Sequence, residues 1–313
     1  MPFNQFYYFL KPIIPRSIQL HLRRNYLINN KRLEYADRWP IDVSSKKSID
    51  PFHIWPNNKT FAFVLTHDVD TDRGQIKCRS LMDIEKRFRF RSSFNFVPER
   101  YRVDPTLRTQ LVEDGFEIGV HGLSHDGKLY KSRKIFQKRA VKINEYLEEW
   151  DAVGFRSPAM HHNLEWIHDL DIEYDASTFD TDPFEPQPDG VGTIFPFWVQ
   201  NEDNSKGYVE LPYTLPQDFT LFILMKEKNI DIWKKKLDWI AECGGMALVN
   251  THPDYMNFDG GKLGLEEYPA DYYREFLEYV KEKYEGQYWH VLPREMARFW
   301  KNNNPQITQI STD

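Results

Sequence analysis

The chain has 313 residues, 41% of them hydrophobic and 28% charged, with a formal net charge of −6. That allows one large α/β domain or two small ones with a substantial core, and it argues against a disordered chain, a membrane-embedded one and a nucleic-acid-binding one. Cys78 and Cys243 fit no metal-binding or disulfide spacing, and no leader-like apolar run with a small-residue cleavage site is visible, so the expectation is a cytoplasmic protein.

Residues 1–33 hold six Lys/Arg (Lys11, Arg16, Arg23, Arg24, Lys31 and Arg32), no acid, and many aromatic and aliphatic side chains. Pro12 and Pro15 divide the segment, and Ile18 to Ile28 reads as helix. Two readings stand for it: an arm packed on the main domain, or an interfacial anchor for anionic lipid at the inner face of a membrane. Residues 34–60 are polar and turn-rich, a lead-in to the main domain.

Phe61 to Leu65 predict a buried strand that delivers Thr66, His67, Asp68 and Asp70. A helix over Ile76 to Arg89, a strand over Ser93 to Val97, a helix over Thr106 to Asp114 ended by Gly115, and a strand over Phe116 to Val120 follow, the last running into His121. This rhythm predicts parallel pairing through crossovers. Ser132 to Trp150 is a long helix. Val153 to Phe155 is a strand delivering Arg156-Ser157-Pro158, Asn163 to Leu170 a short helix, and Ile172 to Tyr174 a strand delivering Asp175. Asp180 to Gly192 is loop, Val209 to Tyr213 a strand, and Leu215 to Phe219 loop again. An amphipathic helix over Ile230 to Cys243 stops at Gly244-Gly245. Met246 to Asn250 is a strand delivering His252, and Asp254 to Leu265 a glycine-bearing loop. A helix over Ala270 to Tyr284, a strand over Tyr288 to Val291 and a helix over Pro293 to Trp300 close the domain. The expected division is an N-terminal extension over 1–58, a catalytic α/β domain over 59–302 and a flexible tail over 303–313.

Polar residues at one end of a parallel sheet or barrel converge in space, which groups Asp68, Asp70, His121, Arg156, Asp175 and His252. His121 and His125 are four apart, and Gly122 lets the chain bend so that both imidazoles face one ion. Alone, such a pair reads as well as two hydrogen-bonding histidines; the strand-end aspartates make it a ligand set. Asp70 or Asp68 supplies the carboxylate ligand and the other is left as general base, with Arg156 beside it. His252 is either a general acid, with Asp175 fixing its tautomer, or a fourth ligand.

Thr66-His-Asp68-Val-Asp70, His121-Gly-Leu-Ser-His125, Arg156-Ser-Pro158, Tyr174-Asp175-Ala-Ser177 and Leu248-Val-Asn-Thr-His252-Pro253 resemble, in order, the motifs of the polysaccharide deacetylase family, the NodB-homology carbohydrate esterases. The resemblance implies a distorted (β/α)7 TIM-like barrel that removes N-acetyl, or occasionally formyl, groups from amino sugars in bacterial surface-glycan synthesis. It implies Asp68 as base held by Arg156, and Asp70, His121 and His125 as ligands of a divalent metal. Zinc comes first for that ion, though nickel, cobalt and manganese suit the same donors. It further implies His252 as acid with Asp175 as its partner, and a backbone N–H near Ala159 on the oxyanion. The expected ligand is an N-acylated sugar that is nucleotide-linked, lipid-linked or part of an oligosaccharide. Three departures stand out: Asp-Val-Asp where adjacent aspartates are frequent, His67 for the usual aromatic, and Ala159 for a common Tyr. They keep a rival reading open, a catalytically weakened protein of the same fold that binds a glycan or lipid-linked sugar. Glu210 to Asp218 resembles a stretch found in family members near surface-glycan gene sets and is expected to line the substrate groove.

Overall fold

A strand that is apolar on both faces needs cover on both, and β1 (Phe61–Val69) is buried along all nine residues. The computed structural model describes residues 15–26, 38–46, 55–201 and 206–303. In it β1 pairs in parallel with β8 (Met246–Thr251) along one edge. Along the other it pairs with β11 (Tyr288–His290) at its start and with β2 (Ser93–Phe96) at its end. From β2 the parallel order runs through β3 (Glu117–His121), β4 (Gly154–Arg156), β5 (Tyr174–Asp175) and β7 (Gly207–Glu210), with antiparallel β6 (Phe197–Gln200) beyond.

The sheet curls until the chain beyond β7 meets β8. Thr214 N and Leu215 N both donate to Leu248 O, at 3.0 and 3.1 Å, and Leu215 bridges Val249. The Thr214 hydroxyl donates to Met246 O at 2.7 Å and accepts from Leu248 N at 3.0 Å. The result is an α/β fold with a curled, open sheet and flanking helices: α1 (Arg16–Tyr26), α2 (Asp72–Arg87), α3 (Pro105–Glu113), α4 (Arg133–Glu149), α5 (Leu164–Ile167), α6 (Asp231–Cys243), α7 (Asp271–Tyr284) and α8 (Pro293–Asn303). Local chemistry sets their ends. Asp104 caps α3 at Thr106 N ahead of Pro105, Ser132 caps α4, and Gly244 closes α6 at φ +74°.

Several elements differ from expectation. α2 starts at Asp72 rather than Ile76, because extended Thr71 supplies the N-cap position and Asp72 faces the helix N-terminus. α5 is one turn only. The expected loop ending at Phe219 leads into a π-helix, Phe219–Leu224, whose last five residues are all buried, so no helical periodicity marks it. Two short strands, β9 (Met256–Asn257) and β10 (Tyr268–Pro269), pair across the glycine-bearing loop. α8 continues to Asn303, and the rest of the expected tail lies outside the described residues. Of the N-terminal extension, the described parts pack on the body: Ile194 N donates to Ser45 O at 3.0 Å, and the buried Trp55 indole to Gly244 O at 2.8 Å.

The seam at Thr214 makes a direct test. Thr214→Val keeps the shape but removes the hydroxyl, leaving Leu248 N and Met246 O short of a partner in a buried site. Stability should fall by about 1–3 kcal/mol, read as a lower denaturant midpoint with an unchanged slope.

Candidate metal centre

Side chains alternate along a strand, so Thr66, Asp68 and Asp70 share one face of the β1 segment and His67 and Val69 the other. The register puts Asp68 opposite Asn95 on β2 and Thr66 opposite Asn250 on β8. Both amides turn to Asp68: Asn95 Nδ2 donates to Oδ1 at 3.0 Å and Asn250 Nδ2 to Oδ2 at 2.8 Å. A Cβ on Gly119 would lie 2.1 Å from Asn95 Oδ1, so the glycine on β3 is what lets that amide lie flat across it.

β3 ends at His121, and Gly122 turns the chain at φ +60°, where a Cβ would sit 2.5 Å from the Pro158 ring. The turn brings His125 back, itself at φ +50°. Asp70 Oδ1 then lies 3.4 Å from His121 Nε2 and 3.1 Å from His125 Nε2. Asp70, His121 and His125 form a cluster whose ligand atoms all lie within 4.8 Å of one another. The donor set fits a divalent ion on two further counts. His121 Nδ1 donates to Arg156 O at 3.1 Å, which leaves the Nε2 lone pair for the site. Asp70 Oδ1 is buried without a hydrogen-bond partner of its own. Burial alone would raise the Asp70 carboxyl, but the facing His125 and His121 imidazoles outweigh it and hold it well below the ordinary carboxylate range. Asp254 positions this aspartate, accepting from Asp70 N at 2.9 Å and from the Thr71 hydroxyl at 2.5 Å.

Asp68 is buried beside the cluster. Arg156 Nε lies 3.5 Å from its Oδ1, and His252 Nε2 and His121 Nε2 lie 3.9 and 4.0 Å from its Oδ2. Burial would push its pKa up; the charges of His121, Arg156 and His252 and the Asn95 bond bring it below the ordinary value, so it stays ionised. Arg156, fully buried, is anchored in turn by donating to Thr66 Oγ1 at 3.0 Å.

His252 follows β8. Its Nδ1 donates to Asp218 Oδ1 at 2.7 Å, its backbone N to Asp218 Oδ2 at 2.8 Å, and the Tyr268 hydroxyl to the same oxygen at 3.0 Å. Burial would lower the imidazole, but Asp218, with Asp70 and Asp68 behind it, pushes it up to about 10. The partner of His252 is therefore Asp218 and not the expected Asp175. Asp175 Oδ1 instead accepts from Ser177 Oγ at 2.6 Å, and Ser177 Oγ accepts from Ser157 N at 2.8 Å. Its other oxygen faces Glu210. Burial raises both carboxyls, and the charge of Asp175 raises Glu210 further. Asp175 thus supports the turn after Arg156 from behind. Asp218 escapes the sequence pattern, although the rule that finds the other residues also applies to it: it closes the run through Leu215 that lies beside β8. Pro216 disguises the end of that run as loop.

The turn Pro158–Met160 carries two consecutive left-handed residues, Ala159 at φ +55° and Met160 at φ +52°. Such conformations cost about 1–2 kcal/mol each without glycine, and their presence beside Arg156 fits a backbone shaped for a task. A cavity of about 240 Å³ opens next to the cluster, lined by Leu123, Ser124, His125, Tyr130, Pro158 and His161. Phe219 and Tyr255 pack at 5.1 Å between ring centres, and Tyr255 on His252 at 5.0 Å. Phe195 and Tyr213 are buried, and the Tyr213 hydroxyl bonds Asp182 and Glu185. His162 bonds locally to Met160 O. His67 faces away from the cluster, its Nε2 on Glu85 and its Nδ1 on Thr251 Oγ1, at 2.8 and 2.7 Å. Its difference from an aromatic therefore does not touch the site.

No protein-family model matches the chain, and no curated protein matches it in sequence. Solved structures do match in fold. A candidate polysaccharide deacetylase from Mycobacterium smegmatis is 19% identical, with 80% of this chain and 93% of that one covered and a TM-score of 0.63. Puue allantoinase is 16% identical over 85% and 99% of the two chains, TM-score 0.64. A probable polysaccharide deacetylase from Pseudomonas aeruginosa PAO1 is 16% identical over 82% and 96%, TM-score 0.62. At these identities the likeness is one of fold.

Metal analysis separates the roles. His121→Ala and Asp70→Asn should each cost most of the bound divalent ion after desalting, whereas His252→Ala, which lies outside the cluster, should retain it. Loss of metal in His252→Ala would make His252 a fourth ligand.

Proposed function

We propose that the chain is a metal-dependent amide hydrolase that removes an N-acetyl group from an amino sugar. The observation that carries this is the pairing, at one end of the curled sheet, of an ionised carboxylate with a protonated imidazole beside the Asp/His/His cluster: Asp68 Oδ2 and His252 Nε2 are 3.9 Å apart. On this reading the sheet is a distorted (β/α)7 barrel made of β1 to β5, the stretch from β7 to Leu215, and β8.

Asp70, His121 and His125 would hold the ion, zinc by the borderline nature of the donors. When bound, it supplies Lewis-acid polarisation of an amide oxygen and makes water more acidic. The remaining steps belong to the chain. Asp68, kept ionised by Arg156 and oriented by Asn95 and Asn250, takes a proton from the attacking water. The Ala159 backbone, fixed in its left-handed turn, is placed to donate an N–H to the developing oxyanion. His252, its Nδ1 proton committed to Asp218, gives its Nε2 proton to the departing nitrogen as the C–N bond breaks. The cavity beside His125 is smaller than the roughly 300–1,000 Å³ of pockets for drug-sized ligands, which favours one sugar ring over a run of polymer. The shared fold with deacetylase structures supports the sugar; the Puue allantoinase structure shares the fold as well, so a panel must include allantoin.

Acetate release from N-acetylated sugars tests the assignment. Asp68→Asn and His252→Ala should each lower kcat by about 10²–10⁴-fold in folded, metal-loaded protein; near-normal turnover in either overturns it. The pH profile tests the partner. The acid form of His252 is needed, so activity falls as pH rises toward about 10. Asp218→Asn removes the charge that raises that imidazole, so the alkaline limb should move toward neutral. Asp175→Asn should leave the limb in place.

A further inference from the structure

α1 contains no acidic residue and divides its side chains between two faces. Gln19 and Leu20 are buried against the body. Arg16 reaches Glu266 Oε1 at 2.6 Å, and Arg24 reaches Ile223 O at 2.8 Å. The opposite face, Ser17, Ile18, His21, Leu22 and Asn25, meets solvent, with Ile18 49% and Leu22 47% exposed. The neighbouring loop 258–267 shows two more aliphatic side chains, Leu263 at 44% and Leu265 at 49% exposure. Lys226 Nζ donates to Leu265 O at 3.4 Å, and Glu266 is the partner of Arg16, so helix and loop form one surface. Single exposed aliphatics need no explanation; four on adjoining elements do. Segments 16–26, 226–228 and 258–267 hold six Lys/Arg against four Asp/Glu, in a chain of net charge −6. Positive charge is thus gathered where the aliphatic side chains are bare.

We propose that this face docks on an anionic lipid bilayer, with Ile18, Leu22, Leu263 and Leu265 at the boundary of headgroups and acyl chains and the surrounding cations against lipid phosphates. No helix among the described residues is long and apolar enough to cross a membrane; the contact is peripheral. The docking face borders the site. Arg23 lies 5.1 Å over the Phe219 ring, and Phe219 leads through Tyr255 to His252. Taken with the hydrolase reading, on which this one step rests, the arrangement selects an amino sugar carried on a lipid.

Sedimentation with vesicles tests the docking without any turnover measurement, so its outcome is separate from that of the hydrolase assay. The full chain is mixed with vesicles of phosphatidylcholine alone and with vesicles containing about one-third phosphatidylglycerol. Binding to the anionic vesicles should exceed the neutral by about tenfold or more and weaken with salt. Ile18→Glu with Leu22→Glu should cut it about tenfold, Leu263→Glu with Leu265→Glu should also reduce it, and thermal unfolding should not change because all four side chains are exposed. Equal or absent binding of the unaltered protein to the two vesicle types overturns the proposal. So does an Ile18→Glu/Leu22→Glu protein that binds as well as its parent.

Discussion

Two carboxylates on the same face of one strand, both buried, set the terms for everything around them. Asp68 and Asp70 are 2% and 7% exposed. Taking an ion out of water costs several kcal/mol after relaxation, and two like charges side by side add repulsion. Unit charges 4 Å apart attract by about 4 kcal/mol at an effective dielectric of about 20, so no single cation offsets the pair. The site answers with cationic or metal-binding groups from three other strand ends: His121 at the end of β3 and His125 after it, Arg156 at the end of β4, and His252 after β8. His121 Nε2 stands between the two aspartates, 4.0 Å from one and 3.4 Å from the other. These groups can only meet because the sheet curls, which is why the seam between Thr214 and β8 belongs to the chemistry as much as to the fold.

Beyond that ring several buried acids bond to hydroxyls and amides rather than to cations. Gln217 passes the network outward, from the Asn250 amide at 3.3 Å to Glu185 Oε1 at 2.9 Å. Burial raises Glu185, and the charge of Asp182 raises it further; burial raises Asp182 as well. The Tyr213 hydroxyl lies between them, 2.9 Å from Asp182 Oδ2 and 3.1 Å from Glu185 Oε1. Behind Arg156, Asp175 and Glu210 are held in a similar way by the Ser177 and Thr178 hydroxyls. Asp218 is the exception, a carboxylate with three donors on its two oxygens beyond its own helix cap. Among the acids that raise the proton affinity of His252 it acts first and in direct contact, with Asp70 and Asp68 adding to it.

Much of this is legible in the amino-acid sequence. The buried strand at Phe61, the alternation of strand and helix, and the convergence of Asp70, His121 and His125 follow from apolar runs ending in polar residues, a signal that survives small errors in element boundaries. Asp218 and the π-helix do not show there, because Pro216 breaks the strand signal just before Asp218 and a helix buried over its last five residues has no polar face to give it a period. Asp175 misleads for a different reason. A residue at a strand end must lie near the mouth, but the strand does not say which neighbour its carboxylate faces, and β5 stands next to β7 and Glu210 rather than next to β8.

The distance between base and acid depends on how β1 and β8 are registered. Asp68 lies on the first, and His252 just past the end of the second. A slip of one residue would move them by about 3.3 Å and turn one set of side chains to the wrong face. Backbone bonds alone would tolerate that slip; side chains do not. On the site face Thr66 Oγ1 bonds Asn250 Oδ1 at 3.1 Å, and on the far face His67 Nδ1 meets Thr251 Oγ1 at 2.7 Å. His67 is held in turn by Glu85, which also accepts from Ser92 and Tyr273. This second buried network makes no contact with a substrate position. It fixes from behind the one register in which an ionised Asp68 and a protonated His252 face each other, and that accounts for a histidine at a position whose side chain points into the core.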